Sequence, residues 1–263
     1  MQKVYDELTT AFRRNRGELS IDKFEYIVSK YTTLFESPEI IFILLQASGY
    51  PISQKDSGEY MLDSYFTPYQ EQNYCIVDIE TNGSKPGRSQ VIEIGAVMVK
   101  NDEIVDRFET FVACTYLPEY ITKITGIEMS DLVDAPSRRE ALTMLRQFMG
   151  SAVFVAHNAN FDYNFLVASF NRFGLGDIGN QRLCTIDLAK RTFECERYGL
   201  AYLNEFFGID SAIHHRAYSD ALSAYRVMQE SFKNIPDYVN STDDLLRFSK
   251  SSRRERSRST VSK

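Results

Sequence analysis

The 263-residue sequence contains no apolar run of the roughly 20 residues that a membrane span needs; its most apolar stretch, IIFILLQA at 40–47, is far too short. The opening MQKVYDELTTAFRRN lacks the apolar core and the small-residue cleavage site of a secretory signal. Cysteine is scarce: four residues, at 75, 114, 184 and 195, form no CxxC pair and no zinc-ligand spacing, so they read as reduced thiols of a cytoplasmic protein. No internal repeat is present. Histidine is scarcer still, with three residues, His157, His214 and His215, each near an acidic residue in a setting that leads into a helix.

Net positive charge is also missing. The chain carries −6 overall, and the sign is unevenly spread. The last fifteen residues, SKSSRRERSRSTVSK, hold six basic groups and one Glu, which leaves 24 basic and 35 acidic groups, a net of −11, on the rest. An acidic body does not coat nucleic acid by bulk charge neutralisation. It is compatible with an enzyme that meets phosphates through bound cations, because those ions reverse the local field.

What is there falls into three parts. Residues 1–68 read as a small all-helical module: KVYDELTTAFRRN has helical apolar spacing, Ser20 caps IDKFEYIVSKYTTLF, and Ser37-Pro38-Glu39 starts IIFILLQASG. Gly49, Pro51 and SQKDSGE end that pattern, which places a linker near 52–72. From 73 to 235 the texture is that of a mixed α/β domain. YCIVDIE is a strand, VIEIGAVMVK and EIVDRFETFV form a hairpin about Asn101-Asp102, AVFVAH is a short buried strand, and SRREALTMLRQFMG, FDYNFLVASFNRFG and SDALSAYRVMQESFK are helices. Residues 236–263 form a basic tail, expected to be disordered from about 249.

Chemistry concentrates in three places. Asp78 and Glu80 stand two apart in CIVDIET, so a strand puts both carboxylates on one face. Two like charges side by side on a buried strand are costly unless protons or metal neutralise them. Asp162 follows the strand VFVA at a helix start, and Asp220 opens the last helix; each alone reads as an ordinary N-terminal helix charge. His157 alone reads as a structural hydrogen-bonding residue. A loop histidine beside a carboxylate cluster suits a general base, and His214 competes with His215 for that role. Four carboxylates on three segments point to a hydrolase with two oxygen-liganded divalent cations, Mg²⁺ or Mn²⁺.

These blocks resemble the DEDD exonucleases with a histidine in the third motif, the group that contains the epsilon proofreading subunit of bacterial DNA polymerase III. VDIETNG (77–83) is similar to D-x-E-T-T/N-G, HNANFDYNFL (157–166) to H-N-x-x-F-D, and HRAYSDA (215–221) to H-x-A-x-x-D. The resemblance implies an RNase H-like fold, a five-stranded mixed sheet flanked by helices with its second strand antiparallel. It implies metal ligation by Asp78, Glu80, Asp162 and Asp220, and proton abstraction from a water by His215 rather than His214. Thr81, Asn82, His157 and Phe161 would meet the 3′-terminal nucleotide. The implied substrate is a single-stranded 3′ end of DNA, with RNA or oligonucleotides as an alternative, and a non-catalytic binding module as the alternative of another class. Implied partners are a polymerase catalytic subunit and, through DDLLRF at 243–248, a sliding clamp, although a helix capped at Ser241-Thr242-Asp243 accounts for that segment too.

Overall fold

The computed structural model describes residues 2–31, 37–209 and 215–251. Helix α1 (Gln2–Arg14) turns Val4, Tyr5, Leu8 and Phe12 inward, one face at helical spacing. After β1 (Glu18–Leu19), helix α2 (Ile21–Ser29) starts at Ser20, whose hydroxyl accepts from Lys23 N. Helix α3 (Pro38–Ala47) starts at Ser37 with Pro38 in its first turn. Strands β2 (Ile52–Gln54) and β3 (Tyr60–Leu62) and the one-turn α4 (Asp63–Phe66) complete this segment.

The N-terminal segment is therefore not all-helical, and 52–62 is not a linker. β2 and β3 form an antiparallel hairpin that also takes up β1, in the order β1-β3-β2. Strands of two or three residues are too short for an alternating pattern to declare itself, which is why the turn signal at SQKDSGE alone was visible. Phe24 stacks on Tyr60, and both pack with Leu8, Phe12, Ile41, Leu45 and Tyr50 in a core of their own.

From residue 74 the fold follows the sequence reading. Strands β4 (Tyr74–Thr81), β5 (Val91–Lys100) and β6 (Glu103–Phe111) form a meander, with Asn101 and Asp102 both at positive φ (51° and 60°) in the turn that joins β5 to β6. Helices α5 (Glu119–Thr125), α6 (Met129–Val133) and α7 (Arg138–Met149) lead to β7 (Val153–Ala156) and α8 (Ala159–Arg172). Strand β8 (Arg182–Cys184) precedes α9 (Thr185–Thr192), α10 (Leu200–Phe207), α11 (Ala217–Phe232) and α12 (Thr242–Lys250). The sheet order is β6-β5-β4-β7-β8; β5 runs antiparallel to its neighbours, while β4, β7 and β8 are parallel.

Alternation along β4 divides the core. Cys75, Val77 and Ile79 pack with α7 and α8, whereas Tyr74 and Ile76 pack with α11 and α12. Asp78 and Glu80 share the second face with Tyr74 and Ile76, at the carboxyl end of the strand.

The C-terminal segment departs from the expected tail. Ser241 caps α12 in a capping box with Asp244, and Leu245, Leu246 and Phe248 are buried, at most 4% exposed. Those apolar side chains complete the core beside α11 and β8, so 243–248 is not a free peptide for a clamp; that expectation is corrected. The basic stretch from 252 lies outside the described residues.

Asp243 is buried too, and Arg13 reaches it from α1: Nε lies 2.9 Å and Nη2 2.8 Å from Oδ1, with Nε 3.1 Å from Oδ2. The N-terminal segment also meets the larger domain at the segment before β8, where Gly179 N donates to Ser48 O at 2.7 Å. Arg13→Ala would strand the Asp243 carboxylate, at an expected cost of about 3 kcal/mol, the low end for a buried pair because the arginine side chain is 35% exposed. Urea unfolding should show it as a lowered midpoint; an unchanged midpoint would mean that the two segments are held together elsewhere.

Candidate active site

Three elements converge at the carboxyl end of β4. The strand supplies Asp78 and Glu80, the first turn of α8 supplies Asp162, and the first turn of α11 supplies Asp220. Asp162 is tied in directly, its Oδ1 accepting from Ile79 N at 3.3 Å. One ligand atom each from Glu80, His215 and Asp220 falls within 4.8 Å of the others. His215 has a left-handed backbone, φ 60°, costly for a side chain with a Cβ and found mostly where surrounding structure imposes it. His214 lies outside the described residues.

The electrostatics match that crowding. Burial raises the Asp78 carboxyl well above the usual range, and the charges of Asp162, Asp220, Glu80 and Glu93 raise it further. Glu80 is pushed up to about 7 by burial, then by Asp220 and Glu93. Asp162 is also raised, by burial, while the backbone N–H donors around it pull the other way. A set of carboxylates that resist ionisation together is what a divalent cation would relieve. The donors are oxygens and one imidazole, with no thiolate, which suits hard cations.

The residues expected to meet a substrate divide. Thr81 and Asn82 sit where β4 gives way to a turn; Thr81 Oγ1 donates to Gly83 O at 2.9 Å, and Asn82 Nδ2 donates to Tyr116 O at 3.0 Å. Asn82 Oδ1 accepts from Gln90 N at 2.8 Å, so the side chain shapes the turn and leaves contact with a ligand to its backbone. Phe161, on the first turn of α8 beside Asp162, packs on Phe165 with part of its ring open. His157 is not placed for substrate. Its Nδ1 pairs with Thr185 Oγ1 at 2.8 Å and its Nε2 with Tyr198 O at 2.9 Å. Burial takes its pKa down to about 4, and it fastens β7 to α9 and the 193–199 segment as a neutral ring.

Two features escaped the sequence reading. Glu93, across from Glu80 on β5, is 1% exposed. Its Oε1 accepts from Arg216 Nε (3.0 Å) and Nη2 (2.7 Å), and its Oε2 from Ala217 N (3.1 Å). It therefore holds the residue after His215 and the start of the helix that carries Asp220. Two positions along, Gly95 lets α11 lie against the strand: a Cβ there would stand 2.1 Å from Tyr218 N and 2.2 Å from Ala217 C. A glycine inside VIEIGAVMV hints at close backbone approach, but nothing local says what approaches. Because a misplaced catalytic group costs up to about 10²-fold in rate, Glu93→Gln should lower kcat some tenfold to a hundredfold while KM stays within a factor of about 3. An equal loss in the two parameters would assign Glu93 a different part.

A mixed sheet in this order, with an acidic cluster at the end of its central strand and a histidine facing it, defines a nuclease of the RNase H-like architecture. Comparison with known proteins narrows the class. Residues 75–228 match the RNase T exonuclease family, a stretch that includes all four carboxylates and His215. This chain belongs to that family, that of the DEDD-type 3′→5′ exonucleases. It is 38% identical over 169 residues to a PolC-type DNA polymerase III of Caldanaerobacter subterraneus subsp. tengcongensis, covering 64% of this chain and 12% of that protein. The PolC-type DNA polymerase III of Staphylococcus aureus is 36% identical over 186 residues, covering 69% of this chain and 12% of its own. The chain thus spans about an eighth of the length of these relatives. Among solved structures, Escherichia coli exonuclease I bound to a dA16 oligonucleotide superposes with a TM-score of 0.57 at 17% identity, over 64% of this chain and 43% of that one, a likeness of fold. Among the described residues no helix is long and apolar enough to cross a membrane.

Proposed function

We propose that this chain removes nucleoside 5′-monophosphates one at a time from the 3′ end of single-stranded DNA, with two Mg²⁺ or Mn²⁺ ions, in the proofreading setting of a DNA polymerase III. The observation that carries the reading is the convergence of Asp78, Glu80, Asp162 and Asp220 with His215 at one end of the sheet. The chain's likeness to PolC-type polymerases supports the replicative setting.

Asp78, Glu80 and Asp220 would hold the ions, with Asp162 completing the set from α8. When bound, such ions neutralise the cluster, activate a water and stabilise the leaving oxygen. His215 accepts the proton of the attacking water. Its φ of 60° and the Arg216–Glu93 pair behind it fix the ring relative to Glu80 and Asp220. The backbone of the Thr81–Gly83 turn and the open part of the Phe161 ring receive the terminal nucleotide, the ring by stacking on its base. Expulsion of the 3′-oxygen then leaves the phosphate on the released nucleotide.

A 5′-labelled single strand incubated with Mn²⁺ should shorten as a ladder from the 3′ end and stay intact in chelator. A mismatched primer end should be trimmed faster than a paired one, and an RNA strand of the same sequence more slowly. Internal cuts, or nucleoside 3′-phosphates among the products, would sink the mechanism; faster loss of RNA would move the substrate to the other nucleic acid.

A further inference from the structure

The carboxylate cluster repels the polyanion it is proposed to cut, so the strand needs a hold beyond the terminal nucleotide. The surface next to the Thr81–Gly83 turn offers one. Tyr116 and Tyr120 are 68% and 55% exposed, and neither ring stacks on another aromatic among the described residues. Both stand beside the turn: Asn82 Nδ2 donates to the Tyr116 backbone O at 3.0 Å, and the Tyr120 hydroxyl lies 3.9 Å from where a Cβ on Gly83 would stand. Beyond Gly83, the loop 84–89 carries Lys85 and Arg88, both exposed. That loop is no loose excursion, since Ser89 N and Arg88 N both donate to Lys85 O, at 2.9 and 3.1 Å. On an acidic body, two cations follow the Thr81–Gly83 turn in the chain and two open tyrosines flank it.

Resting on the nuclease reading, we infer that Tyr116 and Tyr120, with Lys85 and Arg88, form a binding track for the single-stranded nucleic acid upstream of the scissile bond, the rings stacking on bases and the cations on phosphates. Such a surface tolerates any sequence, because every base has a π-face and the charges meet only the backbone. It also gives the enzyme a preference for unpaired ends, since a base within a duplex offers no free face to a tyrosine.

The test is kinetic and uses the whole chain with two DNA substrates, a dinucleotide and an eight-nucleotide strand. Tyr116→Ala and Tyr120→Ala should each raise KM for the longer strand about 10-fold, raise that for the dinucleotide much less, and leave kcat on the longer strand within a factor of about 2. Replacing both Lys85 and Arg88 by Gln should flatten the dependence of log KM on log salt by about 1.4. Circular dichroism melts confirm that the variants are folded, which exposed positions should permit. If KM rises equally for both lengths, or for neither, the track is wrong. If the unaltered chain cuts neither substrate in Mn²⁺, it is the nuclease reading that fails.

Discussion

Asp78→Asn should lose catalysis and gain stability. The rate on a labelled strand should fall at least about 10³-fold, some 4 kcal/mol of transition-state stabilisation, because the central carboxylate of the cluster is gone. In chelator the same variant should melt higher than the parent at pH 8. The sign follows from the raised carboxyls: Asp78 well above the usual range, Glu80 at about 7 and Asp162 also raised. A carboxyl whose folded pKa exceeds its unfolded one holds a proton in the native state that the unfolded state has already lost. Its stabilising contribution is complete below the unfolded pKa, about 4, and disappears as pH rises through the folded value. The parent without cations should thus weaken between about pH 4 and 7, and Asp78→Asn should weaken less. Adding Mn²⁺ at a hundredfold excess over its Kd should restore about 2.7 kcal/mol to the parent for each ion bound, with little effect on the variant. If the variant is no more stable than the parent at pH 8, Asp78 is not held against its charge, and the cluster lacks the strain that cation binding would relieve.

Gly95→Ala should be the most damaging single methyl group. Its Cβ would meet backbone atoms of Tyr218 and Ala217 rather than the ends of side chains, so relief requires α11 to move off the sheet. Overpacking of this kind costs typically 1–3 kcal/mol, about the upper figure here because helix backbone must shift. Asp220 and His215 move with the helix start, so the rate should fall about 10²-fold even in the fraction that remains folded. Gly199→Ala makes a fair comparison, since nothing lies within 4 Å of its Cβ and its φ of −74° suits any residue. Near-parental activity in Gly95→Ala, with a melting temperature unchanged, would show that α11 does not rest on the strand as closely as described.

How much was legible depends on the length over which each signal repeats. β4 and β5 announce themselves as apolar, β-rich runs of eight to ten residues, and the pair Asp78/Glu80 takes its shared face from the period of two that any strand has. Asp162 and Asp220 are mute alone; only their linkage in three motifs singled them out. The N-terminal sheet was missed because a two-residue strand such as Glu18–Leu19 has no period. Glu93 and Arg216 are separated by 123 residues, and no local pattern tells either that its partner exists. The segment 243–248 offered two readings, a capped helix and a clamp-binding peptide, and the structure bears out the helix. Leu245, Leu246 and Phe248 form an apolar motif whether they await a partner or have already found the molecule's own core.

The way His157 is held has a spectroscopic consequence. With three imidazoles in the whole chain, only three histidine Cε1–H lines are expected in a proton NMR spectrum recorded in heavy water. One of the three has both nitrogens committed and a pKa near 4, so its resonances should stay fixed from pH 5.5 to 8.5 and act as an internal standard. Any imidazole line that moves in that window is therefore not that of His157. Sub-stoichiometric Mn²⁺ would then erase first the line of whichever ring faces Glu80 and Asp220, expected to be that of His215, an assignment read without mutating a residue.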